Sequence, residues 1–101
     1  MNRFLHIGVP TTKYIPNSVF RDIDKVYISP PKDEFAIEYL RFEKGSSMPK
    51  EVKENIHIAF LVDNFENLIN ENKLLKLWTN DKNKKMAFIL HNGIVIELVE
   101  K

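Results

Sequence analysis

Short runs of apolar residues alternate with polar connectors along most of the chain, and this pattern is typical of β-strands. The runs are rich in valine, isoleucine, leucine and aromatic residues, which favour a pleated and partly buried backbone. The predicted strands cover residues 3–9, 25–29, 35–43, 56–62, 74–78, 86–90 and 94–99. Residues 11–24 carry polar side chains and Pro16, and are predicted to be extended chain or loop with at most one short strand.

One segment has helical periodicity. Phe65, Leu68 and Ile69 are spaced to form one apolar face after the strand at 56–62. Asp63 or Asn64 can cap this helix, and Asp63-x-x-Glu66 resembles a capping box, so a helix is predicted from there to about Lys73. These elements together predict an α+β fold with seven or eight strands and one clear helix.

Two connectors are marked by turn residues. Asn92-Gly93 is the strongest hairpin signal, because both residues of the tight turn must accept a positive φ. The polar stretch at 44–55 contains Gly45 and Pro49 and is predicted to be a surface linker. His91 directly precedes the hairpin turn, so it is predicted to be an exposed residue.

The two halves of the chain repeat a pattern. LHIGV at 5–9 matches IHIAF at 56–60, and AIEYLRFE at 36–43 matches VIELVEK at 95–101. Each half therefore opens with a strand that carries a histidine and closes with a strand that carries a glutamate. The chain is interpreted as a single domain, 1–101, with a first module at 1–43, a linker at 44–55 and a second module at 56–101.

Strand alternation places both histidines opposite a purely aliphatic face. Glu38 and Glu97 each have apolar residues two positions before and after them, which is costly for a carboxylate without a partner. A metal ion would satisfy the two carboxylates together with His6 and His57. The alternative is that the histidines are half-buried and bonded to backbone, while the glutamates face solvent.

Composition narrows the function classes. The 101 residues include 15 Lys and Arg against 14 Asp and Glu, which gives a formal net charge of +1. This near-balance gives no reason to expect nucleic acid or an anionic membrane as a partner. The absence of cysteine excludes disulfides and thiolate metal sites and favours a cytoplasmic location. No stretch has the apolar length of a signal peptide or a membrane span.

The segments LHIGV, AIEYLRFE, IHIAFLVDN and FILHNGIVIELVE resemble the vicinal oxygen chelate superfamily, which includes glyoxalase I, extradiol dioxygenases and bleomycin-resistance proteins. The resemblance covers nearly the whole chain and is weakest at 10–33. It implies two βαβββ modules with a curved mixed sheet around a cleft. It also implies a divalent ion (Zn, Ni, Fe, Mn or Co) held by four residues, namely His6, Glu38, His57 and Glu97.

The chain departs from the family pattern after its first strand, where Pro10 and Pro16 stand in place of the usual helix. The cleft is then either more open or completed by a second copy of the chain, so a homodimer is expected. No arginine and asparagine positions that would mark a glutathione site can be located. Lactoylglutathione lyase activity itself is therefore not the expectation.

Three functions fit the resemblance. The first is a metal-dependent lyase or isomerase that acts on a small oxygenated substrate, with Glu97 as the preferred catalytic base and Glu38 as the second; the short chain argues against the dioxygenase branch. The second is a non-catalytic, resistance-type protein that binds a small molecule. Its apolar walls would come from Trp78, Tyr39, Phe42 and Phe88, whereas Arg41 points to the face opposite Glu38. The third is a dimeric regulatory module.

Overall fold

The computed structural model describes residues 2–31 and 34–101, which form eight strands and two short helices. The strands are β1 (Arg3–Pro10), β2 (Val19–Arg21), β3 (Val26–Ile28), β4 (Ile37–Phe42), β5 (His57–Val62), β6 (Lys73–Thr79), β7 (Lys85–His91) and β8 (Ile94–Glu100). The helices are α1 (Lys50–Glu54) and α2 (Phe65–Glu71). The α+β class is thus confirmed, and all seven predicted strands are present.

The chain divides into two compact units. The N-terminal unit is His6–Ile56, and the C-terminal unit combines Met1–Leu5 with His57–Lys101. Each unit contains four consecutive strands. The first strand pairs with the fourth in parallel, and the second and third strands pair antiparallel with the strands that follow them.

In the N-terminal unit the strand order is β2-β3-β4-β1. The chain between β1 and β2 forms no helix, and every residue of that stretch belongs to the described part of the chain. This agrees with Pro10 at the end of β1 and Pro16 within the stretch, which remove backbone donors and restrict the residues before them. The one short strand allowed within 11–24 is β2.

The segment at 44–55 differs from the predicted surface linker, because it contains α1 and buries part of its length. Pro49 precedes the first helical turn, while Met48 and Val52 are buried, with Val52 fully inaccessible to solvent. Only one residue of the five-residue helix is buried, and a single apolar position gives no periodicity to detect.

In the C-terminal unit the strand order is β5-β8-β7-β6, and α2 follows β5. Phe65 joins a buried cluster of strand residues, and Leu68 and Ile69 pack against it, as the helical spacing predicts. The buried members of this cluster are Val62, Phe65, Ala87, Ile89 and Leu98. One face of this four-stranded segment is therefore the packing surface for α2.

The start of α2 corrects the predicted capping box. Asn64 is the N-cap residue and makes no side-chain capping hydrogen bond. Glu66 is consequently the second helical residue rather than the third, one position short of where a capping box needs its carboxylate. Glu66 instead pairs with Lys85 on β7 at 2.8 Å, and this hydrogen bond raises the pKa of Lys85 above its ordinary value.

The hairpin between β7 and β8 forms where the sequence predicts it. Asn92 has φ 50° and Gly93 has φ 82°, so both turn residues are left-handed, and His91 pairs with Ile94 across the turn. Neither helix in the described ranges is long enough to cross a membrane, since the longer, α2, has seven residues.

Candidate metal centre

A histidine and a glutamate meet on the two parallel strands of the N-terminal unit. Glu38 on β4 lies directly opposite Gly8 on β1, and His6 lies two residues before Gly8 on the same face. The His6 Nε2 atom is 3.4 Å from Glu38 Oε1, and the two side chains are 13% and 17% exposed. We call this arrangement the first pair.

The C-terminal unit contains an equivalent second pair. Glu97 on β8 lies directly opposite Ala59 on β5, and His57 lies two residues before Ala59. The His57 Nε2 atom is 3.2 Å from Glu97 Oε1, with the histidine fully buried and the glutamate side chain 9% exposed. A carboxylate at this depth requires a polar partner to offset its loss of hydration.

The two pairs share the same strand register, and this explains the small residue in each motif. Gly8 and Ala59 are the residues that face the two glutamates across the parallel strands. Gly8 has no side chain and Ala59 has only a methyl group, so neither adds bulk on the face where the glutamate meets the histidine. The His-Ile-small pattern is visible in the sequence, but the role of the small residue depends on a register that alternation alone does not provide.

The nitrogen–oxygen separations suit two ligands of one ion. Zinc–nitrogen and zinc–oxygen bonds of about 2.0–2.1 Å at a tetrahedral angle place neighbouring ligand atoms about 3.3 Å apart. The observed separations of 3.4 and 3.2 Å bracket that value. Imidazole and carboxylate donors also fit the divalent metals expected for this site. The same distances are compatible with a weak hydrogen bond within each pair, so the donor set fits a metal without requiring one.

Aromatic rings continue from the second pair along the same sheet face. The ring of Phe88 meets His57 edge-on with centroids 5.0 Å apart, and Trp78 lies 5.3 Å beyond Phe88. The Lys76 ammonium lies 5.4 Å from the centre of the Trp78 ring. Two of the four predicted apolar walls, Trp78 and Phe88, are therefore grouped beside a predicted ligand.

The other predicted walls lie elsewhere. Tyr39 alternates to the face opposite Glu38, so it cannot form a wall beside the first pair. Phe42 shares the face of Glu38 but lies at the far end of β4, in a cavity that it lines with Lys13 and Lys53. Arg41 also points away from Glu38, as predicted, with its guanidinium 4.1 Å from the centre of the Tyr27 ring.

The third histidine is exposed, as predicted. His91 lies at the end of β7, and its Nδ1 atom is 2.7 Å from the Asn72 side-chain oxygen. The Asn72 amide nitrogen donates to the Leu68 carbonyl, which fixes the orientation of the amide. The His91 Nδ1 atom must then donate to Asn72, so this histidine has a surface hydrogen bond and takes no part in either pair.

Each unit thus brings together one histidine and one glutamate of the predicted ligand set. The grouping of all four side chains around a single ion stays a prediction, as do the catalytic roles of Glu97 and Glu38.

Comparisons with known proteins give a fold and no function. No protein-family model matches the chain, and no curated protein matches it. Among solved structures, the hypothetical protein BH1468 from Bacillus halodurans C-125 is similar, with a TM-score of 0.70 and 21% sequence identity. The match covers 99% of this chain and 94% of that one. At this identity the likeness is one of fold alone.

Proposed function

We propose that the protein binds a divalent metal ion through His6, Glu38, His57 and Glu97 and acts on a small oxygenated substrate as a lyase or isomerase of the vicinal oxygen chelate type. The observation that carries the proposal is the repetition of one histidine–glutamate pair in both units, with the same register and nearly the same separation. A single buried pair has an ordinary structural explanation, whereas two equivalent pairs favour a shared chemical role.

The strand orders support the interpretation as a duplicated module. The two units have corresponding strand orders, namely β2-β3-β4-β1 and β6-β7-β8-β5. The histidine and the glutamate occupy equivalent strands in each unit. In the second module α2 follows the histidine strand, giving the β-α-β-β-β sequence. The first module is the same arrangement without its helix.

The histidines, the glutamates and the aromatic residues have different roles in this proposal. The two imidazoles would hold the ion through Nε2, and the two carboxylates would offset its charge. A bound divalent ion supplies Lewis-acid polarisation of neighbouring substrate oxygens. Glu97 accepts and returns the substrate proton, and Glu38 is the second candidate for this role. The partly exposed Trp78 ring provides an apolar surface near the second pair and rests on the Phe88 ring, which is buried at 4% exposure.

A binding protein without catalysis is the second candidate, because the partly exposed Trp78 ring, supported by Phe88, would contact an aromatic ligand whether or not a reaction follows. We place either activity in the cytoplasm and in a homodimer, with no nucleic acid or membrane partner.

Metal analysis of protein purified without a histidine tag tests the proposal. We expect one Zn, Ni, Fe, Mn or Co ion per chain, with its content reduced at least about tenfold in His57→Ala and Glu97→Gln. The matched control is His91→Ala, because this histidine is exposed and outside both pairs. No metal after supplementation with each of the five ions, or equal loss in the control, would contradict the proposal.

Catalysis is assayed separately on metal-loaded protein. Methylglyoxal with glutathione, followed by thioester absorbance, tests glyoxalase chemistry directly, and small 2-oxo and 2-hydroxy acids extend the range. Turnover that is lost in Glu97→Gln identifies an enzyme. Stoichiometric metal together with ligand binding and no turnover identifies the binding protein instead.

A further inference from the structure

An apolar cavity adjoins Glu38 within the N-terminal unit. It has a volume of about 530 Å³ and is lined by β2, by the end of β3 and by the prolines that follow. Its apolar walls come from Val19, Phe20, Ile28, Pro30 and Pro31, and Glu38 contributes a carboxylate. This volume lies in the range of pockets that hold small organic ligands.

The register shows why two of these walls, Val19 and Ile28, face the glutamate. Val19 pairs with Ile28 across β2 and β3, and Ile28 pairs with Leu40 across β3 and β4. Directly paired residues share a face of the sheet, and Glu38 shares that face with Leu40. Val19 and Ile28 are therefore on the same side of the sheet as the first pair.

The walls are held in place by hydrogen bonds of two residues that line the cavity, Arg21 and Ser29. Arg21 donates through Nε and Nη2 to the carboxylate of Asp24, which is 2% exposed. Ser29 exchanges hydrogen bonds with Tyr39, through its backbone N–H and its hydroxyl, at 3.0 and 2.8 Å. Because these bonds brace both sides of the cavity, it requires little rearrangement to accept a ligand.

The hydrocarbon part of the lining favours an apolar occupant beside Glu38. The charge of Arg21 is offset by Asp24, so the walls around Val19 and Ile28 are essentially hydrocarbon. Val19 is 69% exposed even though its position faces the cavity, which leaves apolar area for a ligand to cover.

We infer that the ligand bound at the first pair carries a compact apolar group, such as a phenyl or branched alkyl group, which lies against Val19 and Ile28 while its oxygens face Glu38. The inference deepens the proposed function, since it names the class of substrate. These walls belong to residues 17–31, within the stretch where the resemblance to the vicinal oxygen chelate superfamily is weakest.

The first arm of the test does not depend on metal. Benzyl alcohol is titrated into metal-free protein and followed by amide chemical shifts. We expect changes confined to the β2, β3 and Glu38 amides, and their loss in Val19→Asp, which places a charge in the wall. Leu77→Asp is the matched control, because Leu77 is also a half-exposed strand residue and does not line this cavity.

The second arm uses metal-loaded protein and two chelators, benzohydroxamate and acetohydroxamate. Their ratio of affinities isolates the apolar group, because both chelate an ion through the same two oxygens. We expect benzohydroxamate to bind about tenfold more tightly, the effect of burying roughly 55 Å² of extra apolar surface, and the preference to vanish in Val19→Asp with metal content unchanged.

The two arms separate the inference from the proposed function. Loss of metal binding with intact benzyl alcohol binding would overturn the proposed function and leave the apolar site standing. Equal hydroxamate affinities, or benzyl alcohol shifts that Val19→Asp and Leu77→Asp alter alike, would overturn the inference even if the metal is bound.

Discussion

At the scale of single residues, the most informative positions are the small residues opposite the two glutamates. Ala59 is fully buried and lies directly across from Glu97, two residues after His57 on the same face. A larger side chain there would occupy the space through which the carboxylate approaches the histidine. The motif therefore consists of three residues, a histidine, a glutamate and the small residue between them in space.

We expect Ala59→Leu to abolish metal binding and to destabilise the fold by about 1–3 kcal/mol through overpacking. Ala87→Leu is the matched control, because Ala87 is equally buried but lies in the cluster that packs against α2. It should cost similar stability and leave the metal content unchanged. Urea unfolding with metal analysis measures both effects, and equal metal loss in the two variants would argue against the steric role.

At the scale of elements, local sequence determines some features and not others. The periodicity of Phe65, Leu68 and Ile69 predicts α2. The shared face of each glutamate and histidine follows from the parallel register, which alternation within one strand does not provide. Helix α1 is not predictable in this way, because its only buried residue is Val52. The cavity walls at Val19 and Ile28 belong to strands of three residues each, too short to give a clear period.

The hairpin at Asn92-Gly93 allows a test at this scale. Gly93→Ala should lower the free energy of unfolding by about 1–2 kcal/mol, because alanine is strained at φ 82°. An added Cβ would meet no atom within 4 Å, so the cost is conformational rather than steric. Asn92→Gly keeps a residue that accepts positive φ and should be nearly neutral. Thermal or urea unfolding of both variants checks this, and a neutral Gly93→Ala would show that the turn relaxes.

At the scale of the whole molecule, the sequence repeat predicts more than either half could alone. His6 with Glu38, or His57 with Glu97, would each have an ordinary structural explanation on its own. Their repetition is readable from the sequence because identity at four positions survives in equivalent strands. What the repeat does not determine is whether the two pairs hold the same ion, since that depends on tertiary structure rather than on local pattern.

The rise in melting temperature on adding metal tests whether the two pairs hold one ion or two. An ion that binds only the folded chain stabilises it by about 2.7 kcal/mol at one hundred times its dissociation constant. If all four residues hold one ion, His6→Ala and His57→Ala should each remove most of the metal-dependent rise in melting temperature, and the double variant should remove little more. This non-additivity is the expected signature of residues that act as one site. Two independent ions would give partial losses in the single variants that add in the double variant. Melting curves with and without Zn²⁺, with His91→Ala as control, distinguish the two outcomes.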